Sequence, residues 1–109
     1  MASTIRTEMR VCDKYVEVTA SAREDGGFDI LVDSDCEALR SFAKNLTVIS
    51  MDDIMNFETS RINREEVRGN MSMICLAPIA VYQAAWIEAG MMSRRIYSKT
   101  GSCEMSMKG

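Results

Sequence analysis

The stretch CLAPIAVYQAAWIEAG, residues 75–90, is the most clearly helical segment of the chain. Pro78 suits a first helical turn, because proline lacks the N–H group that this turn leaves unpaired, and Gly90 suits the C-terminal cap. Between them only Gln83 and Glu88 are strongly polar. A helix that is apolar around most of its surface is buried, so this segment is predicted to be the central helix of the fold.

Ahead of this helix, the N-terminal part of the chain alternates between apolar and polar residues, which is typical of half-buried strands. The alternation predicts strands over residues 4–11, 15–20 and 28–32. Two glycines at 26–27 favour a hairpin turn between the second and third strands. Cys12 falls in the tight turn between the first and second. We therefore expect a three-stranded antiparallel meander.

Helices are predicted to follow the meander. Residues 34–37, SDCE, have the S-x-x-E pattern of a capping box, and a second short helix is expected to begin after Ser50. Residues 47–49 are predicted as a short connecting strand, and residues 94–98 as a final edge strand. The expected fold class is α+β: a small antiparallel sheet, with the meander and an edge strand, and about three helices packed on one face.

Composition indicates one domain, since 109 residues of which 47% are hydrophobic can bury a single ordinary core. We assign residues 1–99 to this domain and predict that residues 100–109 form a flexible tail. The net charge of −3 argues against a nucleic-acid or anionic-membrane partner. No apolar run approaches the ~20 residues of a membrane span, and no secretory signal pattern is seen. A cytoplasmic location, with reduced cysteines, is expected.

The absence of histidine narrows the chemistry that the chain can perform. Without it there is no Ser-His or Cys-His nucleophile and no imidazole base. Neither a phosphate-binding loop nor a dinucleotide-binding glycine motif is present. Asp52 and Asp53 are adjacent carboxylates, which we interpret as charges at a helix start. A binding protein is therefore favoured over an enzyme.

Three cysteines are the candidate metal ligands: Cys12, Cys36 and Cys75. The last two stand where helices are predicted to begin, and a helix N-terminus favours a thiolate. The hairpin brings Cys12 and Cys36 to one end of the sheet, and Cys75 joins them if the central helix begins there. Three thiolates can hold zinc, or an iron–sulfur cluster whose fourth ligand is exogenous or comes from a partner protein. Cys103 is a further candidate for the fourth position.

Two other interpretations stay open at this point. Cys36 and Cys75 can instead form a reversible disulfide in a thiol redox protein. Alternatively, the chain is an interaction module or a homodimer through an exposed sheet edge. In that case the cysteines are packing residues, because free cysteine is often buried as a small hydrophobic residue.

The arrangement of these motifs resembles a family of small, uncharacterised proteins from methanogenic archaea. The resemblance is carried by Cys12 at a strand edge, by VDSDC at residues 32–36 and by CLAPI at residues 75–79. Leu76 departs from the family pattern, which has a proline there. The resemblance implies an anaerobic, cytoplasmic setting in which oxygen-sensitive clusters persist. It implies no activity, and it offers no counterpart for Cys103.

Overall fold

Four antiparallel strands in the order β1-β2-β3-β4 form the sheet of this computed structural model, which describes residues 2–100 and 105–109. The strands are β1 (Ala2–Met9), β2 (Lys14–Ala22), β3 (Phe28–Ser34) and β4 (Val48–Ile49). Their register sets Met9 opposite Lys14 and Val16 opposite Ser34. The predicted meander is confirmed.

Five α-helices are present in the described residues: α1 (Arg40–Asn45), α2 (Met51–Met55), α3 (Glu65–Arg68), α4 (Ala77–Glu88) and α5 (Arg94–Thr100). Short 3-10 helices at Glu37–Leu39 and Arg61–Asn63 precede α1 and α3. The α+β fold class is confirmed.

The core lies between α4 and one face of the sheet. Alternate strand residues such as Ile5, Val18 and Ile30 are buried there, while their neighbours face outward. The buried face of α4 consists of small residues, which let the helix lie close to β1 and β2: Ala77, Ala80, Val81, Ala84 and Ala85.

The helix α4 runs antiparallel to β1. Near its C-terminal end, the Glu88 carboxylate accepts a hydrogen bond of 2.8 Å from the Ser3 hydroxyl at the start of β1. Near its N-terminal end, Cys75 contacts Met9 at the end of β1. The start of α4 is therefore anchored at the end of the sheet where β1 stops and β2 begins.

Two predicted strands differ from the structure. The first strand ends at Met9 instead of continuing to residue 11, and Val11 is 88% exposed in the turn. The edge strand predicted at residues 94–98 is wrong, because these residues belong to α5. The Ser93 hydroxyl accepts a hydrogen bond from the Ile96 N–H in the first turn of α5, and the Tyr97 hydroxyl donates to Gln83 of α4 at 2.7 Å.

The fourth strand of the sheet is instead β4, which corresponds to the predicted connecting strand. The flexible tail stays a prediction, because Cys103 and its neighbours at 101–104 lie outside the described residues. No helix among the described residues combines the length and the apolar character that crossing a membrane requires.

Candidate metal site

The three candidate cysteines lie at one end of the sheet. There the turn between β1 and β2, the end of β3 and the start of α4 come together. Cys12 is in the turn that joins β1 to β2. Cys36 follows Ser34, the last residue of β3, which pairs with Val16 near the start of β2. Cys75 precedes α4 by two residues. All three cysteines are free thiols, and all three lie at the same end of the fold.

Cys12 is the exposed member of the three. Its thiol donates a hydrogen bond to the Met9 carbonyl at 3.6 Å, and its backbone N–H reaches the same carbonyl at 3.3 Å. The next residue, Asp13, has a φ of 57°, which lets the chain reverse direction at once. Cys12 therefore lies outside the paired residues of β1 and β2.

Cys36 is half-buried at the junction between β3 and the 3-10 helix. The capping box predicted on Ser34 is not formed, and Cys36 itself occupies the N-cap position without a side-chain cap bond. The Ser34 hydroxyl instead accepts a hydrogen bond from the Cys36 N–H at 3.1 Å and donates one to the Tyr15 carbonyl. These bonds fix the Cys36 backbone against the start of β2. Cys36 also lines an open pocket of about 350 Å³ between β3 and α1.

Cys75 is half-buried, and its environment works against the thiolate. Burial raises the pKa of its thiol, and the nearby charges of Cys12 and Cys36 raise it further. The Ala77 N–H at the start of α4 and the Arg68 guanidinium act in the opposite direction but do not prevail. The start of α4 therefore favours the Cys75 thiolate, as expected, but burial outweighs this effect and the pKa is raised. Each of the other two sulfurs is close enough to influence this one electrostatically.

Met9 contacts two of the three cysteines, although the alternation along β1 predicts only a core side chain at this position. It is buried, with 5% of its surface exposed. Its carbonyl accepts from the Cys12 thiol, and its thioether sulfur accepts from the Cys75 thiol at 3.9 Å. The only sequence feature that links Met9 to the cysteines is its position three residues before Cys12.

The chain neighbours of the thiols are both charged and apolar: Asp13, Asp35 and Glu37 are exposed beside Cys12 and Cys36. Val11, next to Cys12, is 88% exposed, and Met73 and Ile74, just ahead of Cys75, are 94% and 72% exposed. Among residues 2–100 and 105–109, no group of three or more His, Cys, Asp or Glu side chains is already arranged to hold a metal ion.

Comparison with known proteins gives a family assignment. Neither the curated proteins nor the solved structures include a match to this chain. A family model does match, and it covers the chain from residue 3 to residue 100. The chain therefore belongs to a family of unknown function, DUF6951.

Proposed function

We propose that this protein binds a thiophilic metal, either a zinc ion or an iron–sulfur cluster, through Cys12, Cys36 and Cys75. In this proposal the protein stores or delivers a metal, carries a cluster or transfers electrons to a partner, and it does not catalyse the turnover of a substrate. The observation that carries the proposal is the convergence of three cysteines, far apart in the sequence, on one end of the sheet.

The donor atoms suit such a metal. Thiolate sulfur is the protein ligand of structural zinc and of iron–sulfur clusters. Binding requires each thiol to lose its proton, so the affinity rises with pH. The raised pKa of Cys75 makes this competition between metal and proton stronger there. The exposed Cys12 side chain supplies the movement that brings the sulfurs around one ion.

A partner protein fits the surroundings of the site. Three thiolates leave one position of a tetrahedral ion open, and an exogenous ligand or a partner can fill it. Val11, Met73 and Ile74, which neighbour Cys12 and Cys75 in the chain, are exposed, and we take these apolar side chains as the surface that a partner would cover. Transfer of metal or electrons would take place across this surface.

The cellular setting is part of the proposal. The resemblance to proteins of methanogenic archaea points to an anaerobic cytoplasm, in which an exposed cluster survives. The net charge of −3 supports a protein partner in preference to a nucleic acid.

The two alternative functions have less support. In a redox couple of Cys36 and Cys75, the raised pKa of the Cys75 thiol lowers its thiolate fraction, so Cys36 would have to be the attacking sulfur. A homodimer through the free edge of β1 would have to pair a strand that carries Arg6 and Glu8 facing outward, and charged residues discourage edge pairing.

The first test is the metal content of untagged protein purified without oxygen. We expect either stoichiometric zinc without colour or iron with acid-labile sulfide and broad absorbance near ~400 nm. Cys36→Ser and Cys75→Ser are each expected to abolish bound metal, because a hydroxyl does not replace a thiolate. Cys103→Ser is the matched control and is expected to retain it.

Metal retained at wild-type stoichiometry in both Cys36→Ser and Cys75→Ser would contradict the proposal. Thiol labelling of reduced and oxidised protein separates the redox alternative. If oxidation protects Cys36 and Cys75 together while no metal is found, the disulfide interpretation replaces the metal site. A variant without any cysteine that keeps both fold and partner binding would favour packing.

A further inference from the structure

Met9 contacts two of the cysteines, Cys75 through its sulfur and Cys12 through its backbone carbonyl. Its position at the end of β1 turns the side chain toward the core face, where only 5% of the residue is exposed. The thiol of Cys75 donates to its sulfur, and the thiol of Cys12 donates to its carbonyl. A fourth sulfur donor is therefore held at the site by the sheet itself.

The spacing of two of these sulfurs matches a shared metal ion. Two sulfur ligands that each lie about 2.3 Å from an ion, at the trigonal angle, are roughly 4.0 Å apart. The Cys75 and Met9 sulfurs are 3.9 Å apart. This separation is the one that two sulfur ligands of a single ion would have.

The chemistry of the donor set selects among metals. A thioether is neutral and soft, and sites of thiolate with thioether favour monovalent copper, whereas zinc sites use thiolate, imidazole and carboxylate. The chain has no histidine to supply imidazole. The side-chain donor atoms that contact Met9 are the sulfurs of Cys75 and Cys12, which are soft ligands.

We propose that the Met9 thioether joins the thiolates of Cys75, Cys12 and Cys36 as the fourth ligand when this site binds monovalent copper, which the site accepts in addition to zinc or an iron–sulfur cluster. This inference rests on the proposed function and deepens it. The ion binds as Cu(I) and leaves as Cu(I), so no electron is transferred. Each cysteine that binds gives its thiol proton to the solvent.

The test is an anaerobic titration of the full chain with Cu(I), in competition with the copper chelator bicinchoninate, and a parallel titration with Zn²⁺ against a zinc indicator. The variant is Met9→Leu, which keeps nearly the same volume and removes only the sulfur. Met71→Leu is the matched control, because Met71 is also a buried core methionine, and its sulfur contacts Arg68 instead of a cysteine. Circular dichroism establishes that each variant is folded.

Met9→Leu is expected to weaken Cu(I) binding by at least about tenfold, as loss of a ligand should cost no less than loss of a group that orients one. Zn²⁺ affinity should stay within about twofold, and Met71→Leu should leave both affinities unchanged. Cu(I) binding by Met9→Leu equal to that of the wild type would overturn the thioether ligand, as would an equal loss of both metals. If the wild type binds neither ion and holds no cluster, the proposed function itself fails.

Discussion

Metal binding is expected to raise the free energy of unfolding of this protein by about 4 kcal/mol when the free metal is about a thousand times the dissociation constant. The ligands come from separate parts of the chain, so the site exists only in the folded state and binding energy becomes folding energy. For a domain of this size the shift in melting temperature is roughly 15 °C. Thermal unfolding followed by circular dichroism, with and without Cu(I) or Zn²⁺ under anaerobic conditions, measures it.

Cys75→Ser is the comparison for this result, because it removes one ligand at the start of α4. Its melting temperature should not change when the same metal is added. None of the three thiols is among the fully buried side chains of the core. The metal-free protein is therefore expected to fold, and its melting temperature is the reference for the metal-bound protein. A wild type whose melting temperature ignores both metals, or a Cys75→Ser variant that responds equally, would be evidence against a site that spans these elements.

Asp53→Asn is expected to lower the free energy of unfolding by about 3 kcal/mol. Asp53 is 4% exposed in the first turn of α2, and its carboxylate accepts five hydrogen bonds from two residues. Ser50 donates from its N–H and its hydroxyl, and Arg61 donates from its N–H, Nε and Nη2. An asparagine has one acceptor oxygen and directs an NH2 group at the remaining donors. Because Arg61 is 44% exposed, solvent offsets part of the loss.

The Asp53 carboxylate also makes the stability of the protein depend on pH in the acid range. Burial acts to raise the pKa of Asp53, but the hydrogen bonds from Ser50 and Arg61 and the charge of Arg61 outweigh it, and the pKa is lowered. The folded state therefore holds this proton less tightly than the unfolded state. The contribution of Asp53 to the free energy of unfolding is fully present above the ordinary pKa of an aspartate, about 4. It is lost as the pH falls through the lower pKa of the folded state. Wild-type stability should thus fall more steeply in acid than that of Asp53→Asn.

Asp52→Asn is the matched control for both measurements. Asp52 lies in the same first turn of α2 and meets the same helix dipole, but it is exposed and accepts one hydrogen bond, of 2.8 Å, from the Thr59 hydroxyl. Urea unfolding should show a loss of less than about 1 kcal/mol for Asp52→Asn. Equal losses in the two variants would mean that the helix-start charge matters and the buried network does not.

Local patterns were enough to predict most of the elements. Alternation located the meander, and Pro78 located the first turn of α4, because these signals depend only on neighbouring residues. The charges and short length of residues 94–98 indicate an edge strand, and five residues are too few for periodicity to distinguish a strand from a helix. What makes them helical is the Ser93 cap and the contact between Tyr97 and Gln83 of α4, and that contact depends on the fold.

The capping signal shows the same limit. Ser-x-x-acid patterns precede two of the predicted helices, at Ser34 and at Ser50, and only the second forms a capping box. At the first, the Ser34 hydroxyl is engaged by the Tyr15 carbonyl across the sheet. The competing partner belongs to another strand, so no local pattern reveals it.

The sequence by itself determined the α+β class and the central helix, since both follow from residue type and short-range spacing. It also named Cys12, Cys36 and Cys75 as candidate ligands, from their residue type and their places at the ends of the predicted elements. Only the tertiary structure decided that Met9 contacts both Cys12 and Cys75, and that burial raises the pKa of the Cys75 thiol. Both depend on how α4 lies across β1. That packing joins residues 66 positions apart in the chain, a separation over which local pattern carries no information.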